Sequence, residues 1–296
     1  MLIAVTGATG FIGSALCKFL KEQGHSVLSV SRLSGSDVIW DPANGEIDAK
    51  KLTGVEAVIH LAGENIASQR WTDKQKKRIL DSRVEGTTLL SKTLADMTNP
   101  PRVLLSGSAI GIYGNRGDEA LDEESSHGDG FLACVVKQWE SATSVAESAG
   151  IRVTHLRTGL VQSPSDGMLK KTLPLFKLGL GGRMGSGKQF WSWISLEDEV
   201  RLISWLLTNE ISGPVNLTAP NPVTNAEFTD VLGTVLKRPT LLPVPLFGPR
   251  LLLGKELANE LIQNSLKVFP QRALSNGFIF KHVNLDKAFA GILKSK

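Results

Sequence analysis

Short apolar runs alternate with longer segments of helical periodicity through the first half of the chain. Leu2 to Val5 has the length and composition of a buried strand, and Phe11 to Leu20 then places apolar side chains on one helical face. The alternation continues with strands predicted at Ser26 to Ser31, Val55 to Leu61, Arg102 to Ser106 and Arg152 to Leu156, and helices at Thr72 to Met97 and Phe131 to Ala149. This pattern predicts an α/β fold, a doubly wound parallel sheet with ligands at the carboxyl ends of its strands.

The pattern changes after Val161. The predicted elements of the second half are a polar loop at 163–167, a segment with five glycines at 179–187, helices at Leu196 to Thr208 and Asn225 to Leu236, and a proline-broken tail from Leu241. We expect a larger domain over residues 1–162 and a smaller carboxyl-terminal lobe over residues 163–296, including a tail domain at about 241–291. Segments around 190–220, such as Val215 to Leu217, are expected to return to the first domain.

A glycine-rich turn, GATGFIG at residues 7–13, lies between the first strand and the first helix. Gly7 permits a tight turn, Gly10 lets a pyrophosphate approach the backbone, and Gly13 lets helix and strand pack closely. The free N–H groups at the helix start would face the anion. Because this context separates a nucleotide site from a simple connection, we interpret the first domain as an NAD(P)-binding Rossmann domain. The predicted cofactor residues of the turn are Gly7, Thr9, Gly10, Phe11, Ile12 and Gly13.

The end of the second strand indicates which dinucleotide is bound. An NAD binder usually places a carboxylate about 20 residues after the glycines, whereas an arginine there accepts the 2′-phosphate of NADP. Ser31 and Arg32 supply a hydroxyl and a guanidinium, and no carboxylate occurs before Asp37. The sequence therefore predicts NADP(H), the alternative being a solvated arginine in a loop.

Composition limits the remaining classes. The net charge is +4, and the charged residues are scattered along the chain. The one dense basic run, at 74–78, lacks interleaved aromatic residues, which favours a solvated helix face over a nucleic-acid site. Cys17 and Cys134 stand in no metal or redox spacing, so we expect no metal site. Without a charged leader or an apolar stretch of membrane-spanning length, the chain is expected to be cytoplasmic and to bind no membrane.

Several strings resemble those of extended short-chain dehydrogenase/reductase proteins, the sugar-nucleotide epimerase group. Besides the glycine turn they are HLAG at 60–63, SGSAIGIYG at 106–114 and RTGLV at 157–161. Finer strings resemble an atypical branch, the YfcH-like epimerase-family proteins with their carboxyl-terminal domain of unknown function: GENI at 63–66, SRVEGT at 82–87, Trp139-Glu140 and FWSWI at 190–194. The likeness covers nearly the whole chain, and it implies a Rossmann fold with a smaller substrate lobe.

The resemblance also implies further cofactor residues. Leu61, Ala62 and Gly63 would line the adenosine and pyrophosphate side, although Leu61 and Ala62 also suit core packing. Arg83 falls where relatives contact the cofactor from the long helix, and Leu160 falls where they contact the nicotinamide end.

The chain contains a single tyrosine. Active relatives use a Tyr-x-x-x-Lys pair on the fifth helix, in which the lysine lowers the pKa of the phenol and the phenolate exchanges a proton as hydride moves. Ala133 stands four residues before Lys137. If Glu140 is aligned with the relatives' glutamate instead, Leu132 and Val136 take the pair's positions. Neither alignment supplies a phenol, so we expect the usual proton relay to be absent.

Other side chains are candidates for the chemistry. Tyr113, the sole tyrosine, would shape the substrate pocket or act as a substitute acid. Ser108 could donate to a substrate oxygen or only satisfy backbone groups, and Lys137 could reach a ribose or be solvated. His127, in a polar loop, is a candidate proton shuttle or an exposed residue. For the other histidines we expect surface positions at His25 and His282 and packed positions at His60 and His155.

The glycine-rich segment at 179–187 corresponds to the region that receives the nucleoside diphosphate in epimerases. Arg183 and Lys188 could contact an anionic substrate, or lie in a solvated loop. Trp191 could form an aromatic wall or pack in the core, and Glu64 is counted with the substrate side. These residues favour a mixed apolar and anionic ligand.

Two functional classes remain open. The first is an NADP(H)-dependent oxidoreductase or nucleotide-sugar epimerase-like enzyme that lacks the usual relay and acts on an unknown small molecule. The alternative is a non-catalytic module whose NADP(H) occupancy signals to a protein partner. The resemblance also allows a homodimer, because the long fourth and fifth helices pair subunits in many relatives.

Overall fold

A largely parallel sheet runs through the computed structural model, which describes residues 1–245, 247, 250–251 and 254–294. The strands are β1 (Leu2–Thr6), β2 (Ser26–Ser31), β3 (Val38–Asp41), β4 (Glu46–Ile47), β5 (Ala57–His60), β6 (Val103–Ala109), β7 (Ala120–Leu121), β8 (Arg152–Thr158), β9 (Leu160–Gln162), β10 (Phe190–Trp191), β11 (Trp193–Ser195), β12 (Gly213–Leu217), β13 (Val223–Thr224) and β14 (Lys267–Val268). The helices are α1 (Phe11–Glu22), α2 (Asp73–Ala95), α3 (Phe131–Ser141), α4 (Ser144–Ser148), α5 (Gly167–Lys177), α6 (Leu196–Thr208), α7 (Asn225–Leu236), α8 (Lys255–Ala258), α9 (Gln271–Ser275) and α10 (Leu285–Lys294). Short 3-10 turns lie at Ala49–Leu52 and Ile110–Tyr113, and a π turn at Asn259–Gln263.

Eight strands form one sheet in the order β12-β8-β6-β5-β1-β2-β3-β4. All neighbouring pairs are parallel except β3 with β4. From β1 the chain builds outward through β2 and β3, and it then crosses to the other side at β5. The strand order therefore reverses between β1 and β5, and the crevice at the carboxyl ends there is where such sheets bind ligands. The predicted doubly wound sheet is confirmed.

Both faces of the sheet are buried, which explains the continuous apolar runs of its strands. Ile3 and Val5 of β1 join a cluster with Leu16 of α1 and Leu202 of α6 on one face. Ala4, between them, belongs to the cluster on the opposite face. The turn at the end of β1 is thus anchored by packing on two sides.

The predicted helix from Phe131 to Ala149 is wrong as one element, because a turn at residues 142–143 divides it into α3 and α4. Thr143 is fully buried at this turn. Its Oγ1 donates to the carbonyl of Glu140 (2.8 Å) and lies 2.9 Å from His155 Nε2 on β8. This side-chain hydrogen bonding competes with continuation of the helix.

The second half adds a smaller core. Trp193, Phe228 and Phe289 pack together beside α5, α7 and α10. Val215 to Leu217 lies in β12, which pairs in parallel with β8 at the edge of the large sheet. Helices α6 and α7 have their predicted bounds, and Ser195 and Thr224 cap their first turns. No helix of the described ranges is long and apolar enough to cross a bilayer.

The carboxyl-terminal region docks onto the start of α3. That helix begins after Gly130, which has a φ of +107° and no side chain to cap it. The carboxylate of Glu260 accepts the backbone N–H of Phe131 instead. Nearby, Lys76 Nζ on α2 lies 2.5 Å from Glu256 Oε1. A distant acid thus supplies the cap that the helix sequence lacks.

The expected surface position of His282 is wrong, since only 8% of the residue is exposed. The backbone N–H of His282 donates to Asp198 Oδ2 (2.8 Å), and that of Lys281 donates to Asp198 Oδ1 (2.9 Å). His282 Nδ1 also lies 2.9 Å from Ser195 Oγ at the start of α6. The buried Asp198 draws this polar segment inward.

Glu199 is a fully buried carboxyl group on α6. Thr158 Oγ1 donates to its Oε1 (2.9 Å), and its Oε2 has no hydrogen-bond partner in the described structure. Burial raises the pKa of Glu199 to about 8. The folded protein therefore holds a proton that the unfolded chain releases near pH 4.5, the ordinary value for glutamate.

We predict that Glu199→Gln removes this pH dependence. Between about pH 4.5 and 8 the native state binds one proton more than the unfolded state, so the wild-type free energy of unfolding falls by up to about 1.4 kcal/mol per pH unit from this group. Relative to wild type, the free energy of unfolding of Glu199→Gln should increase as pH rises through this window. Urea unfolding at several pH values measures the difference. Glu197→Gln, on the exposed neighbour, is the control and should follow wild type. A parallel fall of wild type and Glu199→Gln would contradict the assignment.

Candidate cofactor and active site

The glycine-rich turn lies at the carboxyl end of β1, beside the crevice. Gly7 has a φ of +66°, and Gly10 N donates to Gly7 O (2.9 Å). A Cβ on Gly13 would collide with the Gly7 carbonyl, and one on Gly7 would lie 2.9 Å from the carbonyl carbon of Leu61. A Cβ on Gly10 would meet only Gly7 O, at 3.2 Å, so its outer side is open. Helix α1 begins at Phe11 without a side-chain cap, which leaves its first N–H groups available to an anion.

A buried polar cluster holds the end of β5 against this turn. Thr6 Oγ1 accepts the backbone N–H groups of Leu61 and Ala62, each at 3.1 Å. It lies 2.7 Å from His60 Nδ1, and His60 Nε2 lies 2.9 Å from Thr87 Oγ1. Burial lowers the pKa of His60 to about 4, so the ring is neutral. His60 therefore packs as expected, and Leu61 and Ala62 are fixed next to the glycines.

Arg83 of α2 forms the next part of the wall. A Cβ on Gly63 would lie 3.3 Å from its guanidinium carbon. Arg83 Nη1 donates to the carbonyls of Glu64 (3.0 Å) and Ile79 (3.2 Å), and its guanidinium lies 5.0 Å from the ring centre of Trp139. Burial lowers the pKa of Arg83 to about 10, which still leaves it charged at neutral pH. The structure thus brings Gly63 and Arg83 together.

The loop after β2 presents one exposed cation and no free carboxylate. Arg32 is exposed and makes no ion pair within the described ranges. Ser31 Oγ accepts the N–H of Leu33 (2.9 Å), so its own hydrogen remains available to a ligand. Asp37 Oδ2 is turned back to β2, where it accepts from Ser29 N (2.8 Å) and Ser29 Oγ (2.7 Å). These hydrogen bonds lower the pKa of Asp37 and hold its charge away from the loop tip.

A buried ion pair lies under the carboxyl ends of β6 and β8. Arg157 Nε and Nη2 donate to the two carboxylate oxygens of Glu140, each at 2.9 Å. Ser108 Oγ donates to Glu140 Oε1 at 2.6 Å. Burial acts to raise the pKa of Glu140, but the hydrogen bonds and charge of Arg157 outweigh it and lower that pKa below its ordinary value. Glu140 is therefore ionised, and Ser108 belongs to its hydrogen-bond set.

The hydroxyl of Tyr113, the candidate substitute acid, belongs to the same buried hydrogen-bond network as Arg157. Tyr113 is fully buried. Its hydroxyl donates to Asn216 Oδ1 (2.8 Å) and accepts from Arg157 Nη1 (2.9 Å), and Asn216 Nδ2 donates to the carbonyl of Phe269 (3.0 Å). Burial raises the pKa of Tyr113. Its proton is committed to Asn216.

Helix α3 presents no acid at the positions where relatives carry the tyrosine and lysine. Ala133 and Val136 are buried, and Leu132 is half-buried. Lys137 is exposed, and its ammonium makes no hydrogen bond or ion pair in the described part of the chain. His127 is exposed in its loop. Neither Lys137 nor His127 is drawn into the buried cluster.

The residues predicted on the substrate side are divided between the surface and the core. Glu64 Oε1 accepts from Arg78 Nη2 at 3.2 Å, so its charge is already paired. Arg183 and Lys188 are exposed. Trp191 is 3% exposed and packs 5.1 Å from the ring of Phe228, which matches the core alternative.

The glycine-rich segment at 179–187 is packed in part and exposed in part, with Leu180, Arg183, Gly185 and Ser186 at the surface. Gly181 and Gly182 are buried. A Cβ on Gly182 would collide with the carbonyl of Leu242, and Val244 N donates to Arg183 O at 2.9 Å. Leu160, at the nicotinamide end in relatives, is half-buried at the start of β9.

The basic run of α2 is largely neutralised by neighbouring acids. Lys76 pairs with Glu256, and Lys77 Nζ lies 2.6 Å from Asp81 Oδ2. Arg78 pairs with Glu64 as described above. The favoured interpretation as an ordinary helix face agrees with this pairing.

Thiols and metal ligands are scattered in the structure. Cys17 is half-buried on α1, where burial raises its pKa, and Cys134 is exposed on α3. Among the described residues, no group of three or more His, Cys, Asp or Glu side chains could hold a metal ion.

Sequence reasoning missed the Glu140–Arg157 pair and the cap from Glu260. Glu140 is part of the Trp139-Glu140 string that carries the family resemblance. Nothing in local spacing shows that Glu140 meets a strand 17 residues later or that Glu260 meets Phe131.

Comparison with known proteins agrees with this fold. Residues 3–218 match the model of the NAD dependent epimerase/dehydratase family, and residues 244–292 match a domain of unknown function, DUF1731. The chain is 43% identical to the epimerase family protein Mb2239 of Mycobacterium bovis over 97% of this chain and 96% of that one. It is 35% identical to human epimerase family protein SDR39U1 over 99% of this chain and 100% of that one.

Solved structures give the same answer. A crystal structure of human SDR39U1 (isoform 2) with NADPH superposes with a TM-score of 0.90 at 32% identity, covering 100% of both chains. UDP-glucose 4-epimerase from Thermotoga maritima, at 18% identity, a TM-score of 0.77 and coverage of 99% and 98%, shares the fold. The chain therefore belongs to the NAD dependent epimerase/dehydratase family.

Proposed function

We propose that this protein binds NADP(H) and transfers hydride between that cofactor and a small molecule, in an oxidoreductase or nucleotide-sugar epimerase-like reaction. The observation that carries the cofactor assignment is the pairing of an uncapped glycine turn with an exposed Arg32 and an Asp37 turned away from it. The human relative crystallised with NADPH supports the same choice.

The residues around the crevice fit a dinucleotide. The open outer side of Gly10 and the free N–H groups of α1 would hold the diphosphate, and Ser31 and Arg32 would contact the 2′-phosphate. Arg83 would complete the wall beside Gly63. When bound, the cofactor supplies a hydride donor or acceptor at its nicotinamide.

We also propose that the reaction proceeds without the phenol relay of active relatives. Tyr113 is buried with its proton committed to Asn216, and Lys137 is exposed and is not among the hydrogen-bond partners of the Tyr113 hydroxyl. Losing one positioned proton donor lowers the reaction rate about 10²–10⁴-fold, which slows the reaction without abolishing it. The second candidate, a cofactor-sensing module, rests on the same observation.

Arg32→Ala should weaken NADPH binding about tenfold or more and leave NADH binding unchanged. A charge-assisted hydrogen bond to the 2′-phosphate contributes about 1.5–3 kcal/mol, and NADH lacks that phosphate. Calorimetric titration of both cofactors measures the two affinities. Arg238→Ala, which removes another exposed arginine from the second lobe, is the control and should bind both as wild type does. Equal losses for NADPH and NADH would refute the assignment of Arg32.

Hydride transfer separates the enzyme from the sensing module. Purified protein should oxidise NADPH, or reduce NADP⁺, with members of a broad panel of carbonyl compounds and alcohols, followed at the nicotinamide absorbance. An apolar compound with an anionic group is expected to react best, because Arg183 and Lys188 are exposed in the segment expected to receive an anionic substrate. Micromolar NADPH affinity without turnover across the panel would support the sensing module instead.

Tyr113→Phe should keep any hydride transfer found in wild type and lower stability. The change leaves Asn216 Oδ1 and Arg157 Nη1 without their buried partner, at a cost of about 1–3 kcal/mol. Urea unfolding measures the loss, and the nicotinamide assay measures activity per folded molecule. Loss of turnover in a fully folded Tyr113→Phe protein would contradict this prediction and identify Tyr113 as the acid.

A further inference from the structure

The direction of one hydrogen bond determines what Ser108 can offer to a ligand. A serine hydroxyl has one hydrogen to donate and two lone pairs that accept. Ser108 Oγ lies 2.6 Å from Glu140 Oε1, and an ionised carboxylate only accepts. The hydrogen of Ser108 therefore points to Glu140, and its lone pairs remain for any other partner.

Arg157 keeps Glu140 in the ionised state that fixes this direction. Its planar fork binds both carboxylate oxygens, and the side chains of Arg157 and Glu140 are 3% and 10% exposed. Such bidentate pairs are among the strongest hydrogen-bonded contacts in proteins. Hydrogen bonds to Glu140 favour its charged form, so its pKa lies below the ordinary value.

The other groups that face Glu140 do not offset this pairing. His155, on β8, lies near it, and burial lowers the pKa of that ring, which is neutral at pH 7. Tyr113 donates its proton to Asn216 and not to Glu140. Arg83, from α2, is stacked on Trp139, the residue before Glu140, and adds positive charge on that side.

Ser108 lies in the half of the crevice where a nicotinamide would bind. The adenosine half of a doubly wound sheet is built on its first strands, and β5, β6 and β8 form the other half. Ser108 is next to last in β6 and pairs in register with Arg157 of β8. It is buried, with 5% of the residue exposed, and it stands at the carboxyl end of β6, where such sheets hold their ligands.

We propose that Ser108 accepts a hydrogen bond from a substrate hydroxyl, and that Ser108 and Glu140 together take up its proton in place of the missing phenol. This assigns the substrate to the class of alcohols that carry a hydrogen on the carbinol carbon. It rests on the hydride transfer of the proposed function. Ser108 is the catalytic residue, Glu140 holds the proton behind it, and Arg157 is a positioning residue.

In the oxidation direction the alcohol loses a hydride to NADP⁺ and a proton to Ser108. The C–H bond of the alcohol breaks and its electron pair leaves with the hydrogen as hydride to the oxidised nicotinamide, while the C–O bond becomes C=O. The hydroxyl proton passes to Ser108 Oγ as the proton of Ser108 passes to Glu140 Oε1. Glu140, now neutral, releases its proton to solvent. Alternatively it returns the proton when hydride is added back to the opposite face of the substrate carbonyl.

Glu140 with a lowered pKa is a weak base, which makes this reaction slow and gives it a distinctive pH dependence. Glu140 stays ionised from about pH 5.5 to 8.5, so the kcat/KM of alcohol oxidation should be flat across that range. Reduction needs protonated Glu140, so its kcat/KM should fall about tenfold per pH unit over the same range. The ratio of the oxidation rate to the reduction rate then rises about tenfold per pH unit, because the overall oxidation releases one proton.

The test uses the full-length protein with 1-phenylethanol and acetophenone as a matched donor and acceptor probe. Equilibrium binding is measured without turnover in the dead-end complexes, 1-phenylethanol with NADPH and acetophenone with NADP⁺. Wild type should bind the alcohol more tightly. In Glu140→Gln the new amide can donate to Ser108, which frees the hydroxyl hydrogen of Ser108. The affinity for the alcohol should therefore fall about tenfold, while the affinity for the ketone should not fall. An unchanged ratio of the two affinities in folded Glu140→Gln overturns the proposal.

Activity provides the second readout. Ser108→Ala leaves the ion pair intact, and it should lower alcohol oxidation by about 10²–10⁴-fold with NADPH affinity unchanged. Glu123→Gln, at another buried carboxylate that binds backbone N–H groups of Asn216 and Arg272, is the control for structural damage and should retain the flat pH profile. Turnover by wild type that survives in Ser108→Ala, or an oxidation rate that rises with pH, would contradict the relay. No hydride transfer by wild type with any compound would contradict the proposed function. The ratio of alcohol to ketone affinity would still test whether Ser108 accepts or donates a hydrogen bond.

Discussion

The buried ion pair between Glu140 and Arg157 is the interaction on which the rest of the site depends. Arg157 lies on β8 and Glu140 on α3, and the pair reaches Ser108 on β6. On its other side, Tyr113 and Asn216 extend the hydrogen bonds to β12 and to the carboxyl-terminal region. Removing one partner of such a pair costs about 3–5 kcal/mol, because it leaves a buried charge uncompensated. One pair thus fixes the geometry of the sheet end and the direction of a serine hydroxyl.

The cofactor half of the crevice is built by backbone packing with few charges. Gly13 and Gly7 allow α1 and β5 to approach the turn more closely than any side chain would permit. The neutral His60 and Thr6 then fix the end of β5 with hydrogen bonds that need no charge. A site prepared in this way presents N–H groups to an anion without reorganisation, which is what tight binding of a diphosphate requires.

Much of this fold could be predicted from the sequence because its signals are local. Strand and helix periodicity predicted the doubly wound sheet and the bounds of α6 and α7, and the structure adds that Ser195 and Thr224 cap these two helices. The failures came from contacts between distant residues. His282 is buried because Asp198 binds its backbone 84 residues away, and Tyr113 is committed to Asn216 103 residues away. Periodicity and motif spacing carry no information about such partners.

A crystal structure of the protein with NADP⁺ tests the central claim most directly. The account predicts that the diphosphate lies on the N–H groups after Gly10, that Arg32 contacts the 2′-phosphate, and that Ser108 is the polar side chain nearest the nicotinamide C4. A 2′-phosphate free in solvent, or a nicotinamide whose nearest polar side chain is Lys137 or His127, would contradict it.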